Sequence, residues 1–202
     1  MKMNPKDILV PAVSLFVIAL VATLFLAVVN SVTADKIAEQ ARIADENARK
    51  EVMADAATFE PAKLSDGSEY FVAKDASGNT VGYVFNTIGE NKGYGGDVAV
   101  TVGINTEGVI TGIKPGDISN ETPGLGQNAG KDDFRVQFAG EKANPDTDQD
   151  ITVVKSNPEA AADTTDGQIN ALTSATITSK AVTGSVNKAL NYFDEIGGAD
   201  NG

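Results

Sequence analysis

The sequence predicts an α+β protein, with an N-terminal transmembrane helix and a stalk helix followed by an antiparallel sheet with helices packed on it. Three observations carry this. Residues 8–29 are apolar except for Ser14 and Thr23. Two pairs of runs rich in β-branched and aromatic residues are each joined by a short turn containing Gly. From Ala181 onward, Val182, Val186, Ala189, Leu190 and Phe193 recur at helical spacing until Gly197-Gly198 stops them. The corresponding division is 1–30 for a cytoplasmic N-terminus and transmembrane helix, 31–58 for the stalk, 59–198 for an extracytoplasmic domain and 199–202 for a tail.

At about 1.5 Å per residue, the apolar run is long enough to cross a hydrocarbon core of ~30 Å, and Pro11 falls near its start, where a helix tolerates it. Lys2 and Lys6 precede the run, and Asp35, Lys36 and Glu39 follow it. The excess of positive charge on the N-terminal side predicts a single pass through the cell (inner) membrane, with the N-terminus cytoplasmic and the domain outside. Val32-Thr33-Ala34 offers small residues for a signal-peptide cut, but the run exceeds a usual signal core, so a retained anchor is expected. Residues 33–57, rich in Ala, Glu, Lys and Arg, form the stalk helix, which is expected to pack on the domain.

Strands are predicted at 69–74 and 80–87, joined by Ala76-Ser77-Gly78-Asn79, and at 97–104 and 109–114, joined by Asn105-Thr106-Glu107-Gly108. Two hairpins imply an antiparallel sheet, whose Tyr70, Phe71, Tyr83 and Phe85 are read as core and sheet-face residues. Residues 132–138 are a short helix with Phe134 and Phe138 four apart, 151–155 a strand, and 156–167 an exposed loop. Asp146-x-Asp148-x-Asp150 has the look of a calcium loop, but Ile151 and Asn157 stand where an EF-hand needs Gly and Glu, so it reads as a solvated acidic turn.

A formal net charge of −12 argues against nucleic acid as a partner, because a phosphate backbone calls for a basic face. The chain has no Cys and no His. Thiolate-held clusters, imidazole–zinc sites and Ser–His or Cys–His nucleophiles are therefore excluded, and no Ser-x-x-Lys occurs. Independent side-chain catalysis is not expected; if the chain moves electrons, an organic cofactor carries them.

Thr173, Ser174, Thr176 and Thr178 crowd the start of the last helix, with Ser179 and Lys180 behind them. A single hydroxyl there would be an ordinary cap. Four hydroxyls at the positive end of a helix suit a bound anion, with phosphate the common case, and composition leaves both readings open. Asn170-Ala171-Leu172-Thr173-Ser174-Ala175-Thr176 resembles the attachment motif D-x-x-[ST]-G-A-T of the FMN-binding domain family, in which the last Thr carries FMN as a phosphoester. Asn170 stands where that family has Asp, and Ser174 where it usually has Gly. Serine fits there unless the site requires positive φ.

Glu121-Thr122-Pro123-Gly124-Leu125-Gly126 resembles the family's E-T-P-G-L-G loop, with Ser119 where many members have His, and Gly93-Tyr94-Gly95-Gly96 matches a third element. A dinucleotide fingerprint at Gly124-x-Gly126-x-x-Ala129 fails, because no buried strand precedes it. Along its whole length the chain is similar to the G subunits of Rnf-type ion-translocating ferredoxin:NAD oxidoreductases, a branch of the family. That resemblance implies covalent FMN on Thr176, its phosphate held by Thr173, Ser174, Ala175, Thr178 and the helix N-terminus. It places Glu121, Thr122, Gly124 and Leu125 against the flavin ring, with Leu172 and Tyr94 completing the cofactor-binding set. It also implies a redox subunit that passes electrons between ferredoxin and NAD in a membrane complex pumping sodium ions or protons. Its partners would be the other membrane subunits and a flavin transferase that loads it. The alternatives are the C subunit of sodium-pumping NADH:quinone oxidoreductase, a stand-alone flavoprotein relay, and a cofactor-free extracytoplasmic interaction module.

Overall fold

The computed structural model describes residues 5–141, 150–155 and 167–197, which fall into two compact units, 1–46 and 47–202. The expected transmembrane and stalk segments are one continuous helix, α1 (Pro5–Val52). The polar residues after the apolar run do not break it, because neither Gly nor Pro follows Pro11 within it, and the Ser31 and Thr33 hydroxyls donate to the Val28 and Val29 carbonyls at 2.9 and 3.0 Å. In the first unit the apolar side chains of residues 8–29 are exposed, and α1 is the one helix among the described residues long and apolar enough to cross a membrane.

The second unit is built on a five-stranded antiparallel sheet in sequence order: β1 (Thr58–Lys63), β2 (Glu69–Lys74), β3 (Thr80–Ile88), β4 (Ala99–Asn105) and β5 (Ile110–Pro115). Strands β2 to β5 are the two predicted hairpins. Their turns close through Gly78 (φ 86) and Gly108 (φ 78), with the Asp75 and Asn105 side chains accepting backbone N–H groups. β1 was not anticipated. A short helix α2 (Asp132–Arg135) continues into a 3₁₀ turn, Val136–Phe138, where the two predicted phenylalanines meet edge to face at 5.5 Å. The expected strand at 151–155 is β6 (Thr152–Val154), paired in parallel with an unanticipated β7 (Gln168–Asn170). Asp146, Asp148, the tail at 199–202 and most of the 156–167 loop lie outside the described residues.

The long helix α3 (Thr176–Glu195) starts where the hydroxyl cluster predicts. Its Val182, Val186, Ala189 and Phe193 pack on Tyr83, Phe85, Val100, Val102 and Ile104 from one face of the sheet, all buried. The opposite face receives the end of α1, where Val52 and, just after the helix, Met53 pack with Ala73 and Val84. That contact requires glycine: Gly103 and Gly112 are direct partners across β4 and β5, and a Cβ on Gly103 would strike the Val52 carbonyl. Thr111 donates to that carbonyl, and Glu51 pairs with Lys114 at 2.9 Å and with Arg135. Residues 47–53 are thus part of the domain.

Candidate functional site

The start of α3 is unusual for a helix preceded by so many hydroxyls. Its N-cap is Ala175 (φ −135, ψ 41), and no side chain caps it. The capping alternative is therefore set aside. Ser179 accepts from the Leu172 N–H at 2.9 Å and donates to the Ala175 carbonyl at 3.0 Å, which fastens the preceding turn to the helix. Thr178 is buried and donates to Glu121 Oε2 at 2.6 Å. The Thr173, Ser174 and Thr176 hydroxyls have no hydrogen bond among the described residues. Ser174 has φ 60, the only positive φ at a non-glycine residue among those described. The position does require the left-handed region that Gly takes without cost.

The loop 121–126 turns through Gly124 (φ 75), where the Leu125 N–H donates to the Thr122 carbonyl at 3.1 Å and the Asn128 amide to the Gly124 carbonyl at 2.6 Å. Glu121 lies beneath this loop, 3 % exposed. Its Oε1 accepts the Gly95 N–H at 2.8 Å, and its Oε2 takes the Thr178 hydroxyl. Gly93 and Gly126 press on the carboxylate: a Cβ on Gly126 would lie 2.6 Å from Glu121 Oε2 and 2.8 Å from Thr178 Oγ1.

Above these contacts lies a pocket of about 480 Å³ lined by Tyr94, Thr122, Leu125, Gly126, Ser174, Ala175, Thr176, Ile177 and Thr178. Among the described residues no charged side chain lines it. Tyr94, Ile177 and Leu125 expose 76, 57 and 38 % of their surfaces around it, an apolar rim on a strongly acidic protein.

Seven of the residues singled out by sequence share this pocket: Tyr94, Thr122, Leu125, Ser174, Ala175, Thr176 and Thr178. Four do not line it. Leu172 packs against the core, Thr173 is exposed beside it, Gly124 shapes the turn, and Glu121, expected against the ring, engages Gly95 and Thr178 instead. Sequence reasoning missed Ile177, and it named Gly126 in the loop motif without giving it a place in the binding set. Ile177 leaves a signal, as a large apolar residue off the buried stripe of α3. Asn170 ends β7, with its N–H donating to Gln137 Oε1 at 2.8 Å.

The FMN-binding domain family matches residues 93–191, and the RnfG N-terminal region matches residues 1–52. The G subunit of the Na(+)-translocating ferredoxin:NAD(+) oxidoreductase complex of Acetobacterium woodii is 37 % identical over 197 residues, covering 90 % of this chain and 89 % of that protein. The G subunit of the proton-translocating ferredoxin:NAD(+) oxidoreductase complex of Clostridium ljungdahlii is 39 % identical over 126 residues, 62 % of this chain and 60 % of that protein. Among solved structures, the C subunit of the Na(+)-translocating NADH-quinone reductase of Parabacteroides distasonis matches with a TM-score of 0.50 and 24 % identity, over 63 % of this chain and 61 % of that one. This last likeness concerns the fold alone.

Proposed function

Because the chain belongs to the G-subunit family of ion-translocating ferredoxin:NAD oxidoreductase complexes, we propose that it relays electrons within such a complex through FMN joined to Thr176 Oγ1. The observation that carries this reading is the pocket. It gathers three segments remote in sequence around a threonine hydroxyl that no group among the described residues holds, at the uncapped positive end of a twenty-residue helix.

The residues present fit the group. An ester at Thr176, formed with overall loss of water, would bring a phosphate to the first turn of α3, where unpaired N–H groups and the helix dipole favour an anion without any basic side chain. Ser174 and Thr173 add hydroxyl donors. Leu125, Ile177 and Tyr94 offer apolar surface to a flat ring and keep water from it. Bound FMN would supply the one- and two-electron chemistry that a chain without Cys or His lacks. The covalent link keeps the flavin at high effective concentration outside the cytoplasm, where a released one is diluted beyond recapture.

The long apolar helix and the G-subunit relatives associate the chain with the membrane and with the other subunits of such a complex. The charge asymmetry around residues 8–29 supports a cytoplasmic N-terminus and an extracytoplasmic domain, loaded by a flavin transferase. The two relatives are named for different ions, sodium and proton, so the reading extends to ion translocation without choosing between them.

The test is the intact mass of the full chain co-expressed with a flavin transferase, beside Thr176→Ala, with the visible absorption of the denatured samples. An FMN-sized increment less one water on the wild type, absent from a folded Thr176→Ala, is expected. No increment on the wild type, from a transferase shown to load a standard substrate in the same cells, overturns the reading in favour of a cofactor-free interaction module.

A further inference from the structure

Glu121 is a buried carboxylate whose two oxygens each reach a different segment of the chain. Oε1 accepts the N–H of Gly95, and Oε2 accepts the hydroxyl of Thr178, while Gly126 packs against it more closely than any side chain would allow. Each of these three groups is the immediate neighbour of one member of the apolar rim. Gly95 follows Tyr94, Thr178 follows Ile177 and Gly126 follows Leu125.

We propose that Glu121 is the positioning residue of the flavin pocket, fixing the three apolar walls relative to one another through its two hydrogen bonds and its contact with Gly126. The inference rests on the reading that FMN is attached to Thr176. It assigns Glu121 a different task from touching the ring. A wall built from three separate segments keeps its spacing only if something ties the segments together, and this carboxylate is where they meet. The same contact sorts the threonines of the first turn. With its proton directed to Glu121 Oε2, the Thr178 hydroxyl is occupied and buried, whereas Thr176, two residues earlier, is left half-exposed on the pocket.

A purely structural role would also make Glu121 important, so the test needs a readout that stability alone does not move. A tethered flavin supplies one: it stays on the protein whether or not its pocket is ordered, and its fluorescence anisotropy and visible circular dichroism report how firmly the ring is held. The full chain is co-expressed with a flavin transferase as wild type, Glu121→Ala, Glu121→Gln and Thr178→Val, with Tyr192→Phe, at the other end of α3, as a control. Signals are taken on the fraction that carries the mass increment.

For Glu121→Ala, anisotropy is expected to fall to that of the same tethered flavin in denatured protein, with loss of the visible dichroism. Glu121→Gln retains an acceptor for the Gly95 N–H and an amide that donates to Thr178 Oγ1, so it should keep the wild-type signals. Thr178→Val, which removes only the link to α3, should lose part of them, and Tyr192→Phe none. Wild-type anisotropy and dichroism in Glu121→Ala overturn the proposal, as does a Glu121→Gln protein as loose as Glu121→Ala. Should Glu121→Ala not fold, Thr178→Val decides, and wild-type signals there overturn it. Absence of the increment from wild type is a separate failure, that of attachment itself, and takes this inference with it.

Discussion

At its C-terminal end α3 is closed by the protein's own groups. The Ile196 N–H donates to the Tyr192 carbonyl at 3.2 Å, and Gly197, at φ 63, donates to the Asp194 carbonyl at 3.0 Å. Glu195 accepts from the Ser65 N–H and hydroxyl, and the Tyr192 hydroxyl donates to Asp66 at 3.0 Å. At the N-terminal end no side chain caps the helix, although Thr173, Ser174, Thr176 and Thr178 all stand within reach in sequence. Both ends of any helix leave backbone groups without intrahelical partners. Here one end is completed for stability, and the other is held rigid from beneath and left incomplete beside a pocket. Under the reading proposed above, the phosphate would take the place of the missing cap, and the cost of the uncapped end is what its binding would return.

The largest effect is expected from breaking the support beneath the open end. Gly126→Ala puts a methyl group 2.6 Å from Glu121 Oε2 and 2.8 Å from Thr178 Oγ1. Both are held by other contacts, so neither can simply move away. Overpacking of this kind costs about 2 kcal/mol, and thermal or urea unfolding of the full chain should show it. A Gly126→Ala protein as stable as wild type would mean that the clamp is slack.

Next in size is completion of the open end itself. A missing cap is worth about 1 kcal/mol, and an anion at a helix N-terminus adds a similar amount. Flavin-loaded protein should therefore melt about 3 to 6 °C above the unloaded protein from a host without the transferase, a shift absent from Thr176→Ala. Equal melting temperatures would show that the first turn gains nothing from the phosphate.

Ser174→Gly sharpens the comparison from the other side. Ser174 is held at φ 60, which costs a non-glycine residue about 1 kcal/mol, partly offset by the greater freedom of glycine when unfolded. The variant should be more stable by about 0.5 kcal/mol, with attachment at Thr176 intact. Destabilisation would mean that the serine hydroxyl does more in the unloaded protein than the geometry indicates.

Much of this was legible in the sequence, and the exceptions have physical reasons. The hairpins could be read because their turns carry Gly78 and Gly108 at positions needing positive φ, between runs of alternating residues. β1 could not, since Pro61 and Ala62 are poor strand formers and an edge strand needs ladder bonds on one side only. The division of α1 into anchor and stalk followed a change of composition, but composition alone does not break a helix when the polar residues bond back to its own carbonyls. At the site, the residue types around Thr176 and Leu125 pointed to the pocket. The direction of the Glu121 carboxylate did not follow from them, because its partners Gly95 and Thr178 lie 26 and 57 residues away.

The smallest expected effect lies at the closed end, and its pH dependence separates it from the others. The Asp66 carboxyl is held below the usual carboxylate range first by the Ser68 N–H and hydroxyl, and then by the Tyr192 hydroxyl and the charge of Lys188. A depressed folded value means that its contribution is fully present above the ordinary Asp pKa of about 4 and is lost as pH falls through the folded value. Tyr192→Phe removes only one of these donors, at an exposed site, so Tm at neutral pH should drop by about 2 °C or less. The drop should shrink as the pH is lowered, because protonated Asp66 no longer rewards the donor. Thermal melts of wild type and variant from neutral to acid pH measure it. A penalty that grows toward acid pH would mean that the Tyr192 hydroxyl favours the protonated carboxyl. The flavin signals of loaded Tyr192→Phe should match wild type, since the open end of α3 is supported by Glu121 and not by the contacts that close the other.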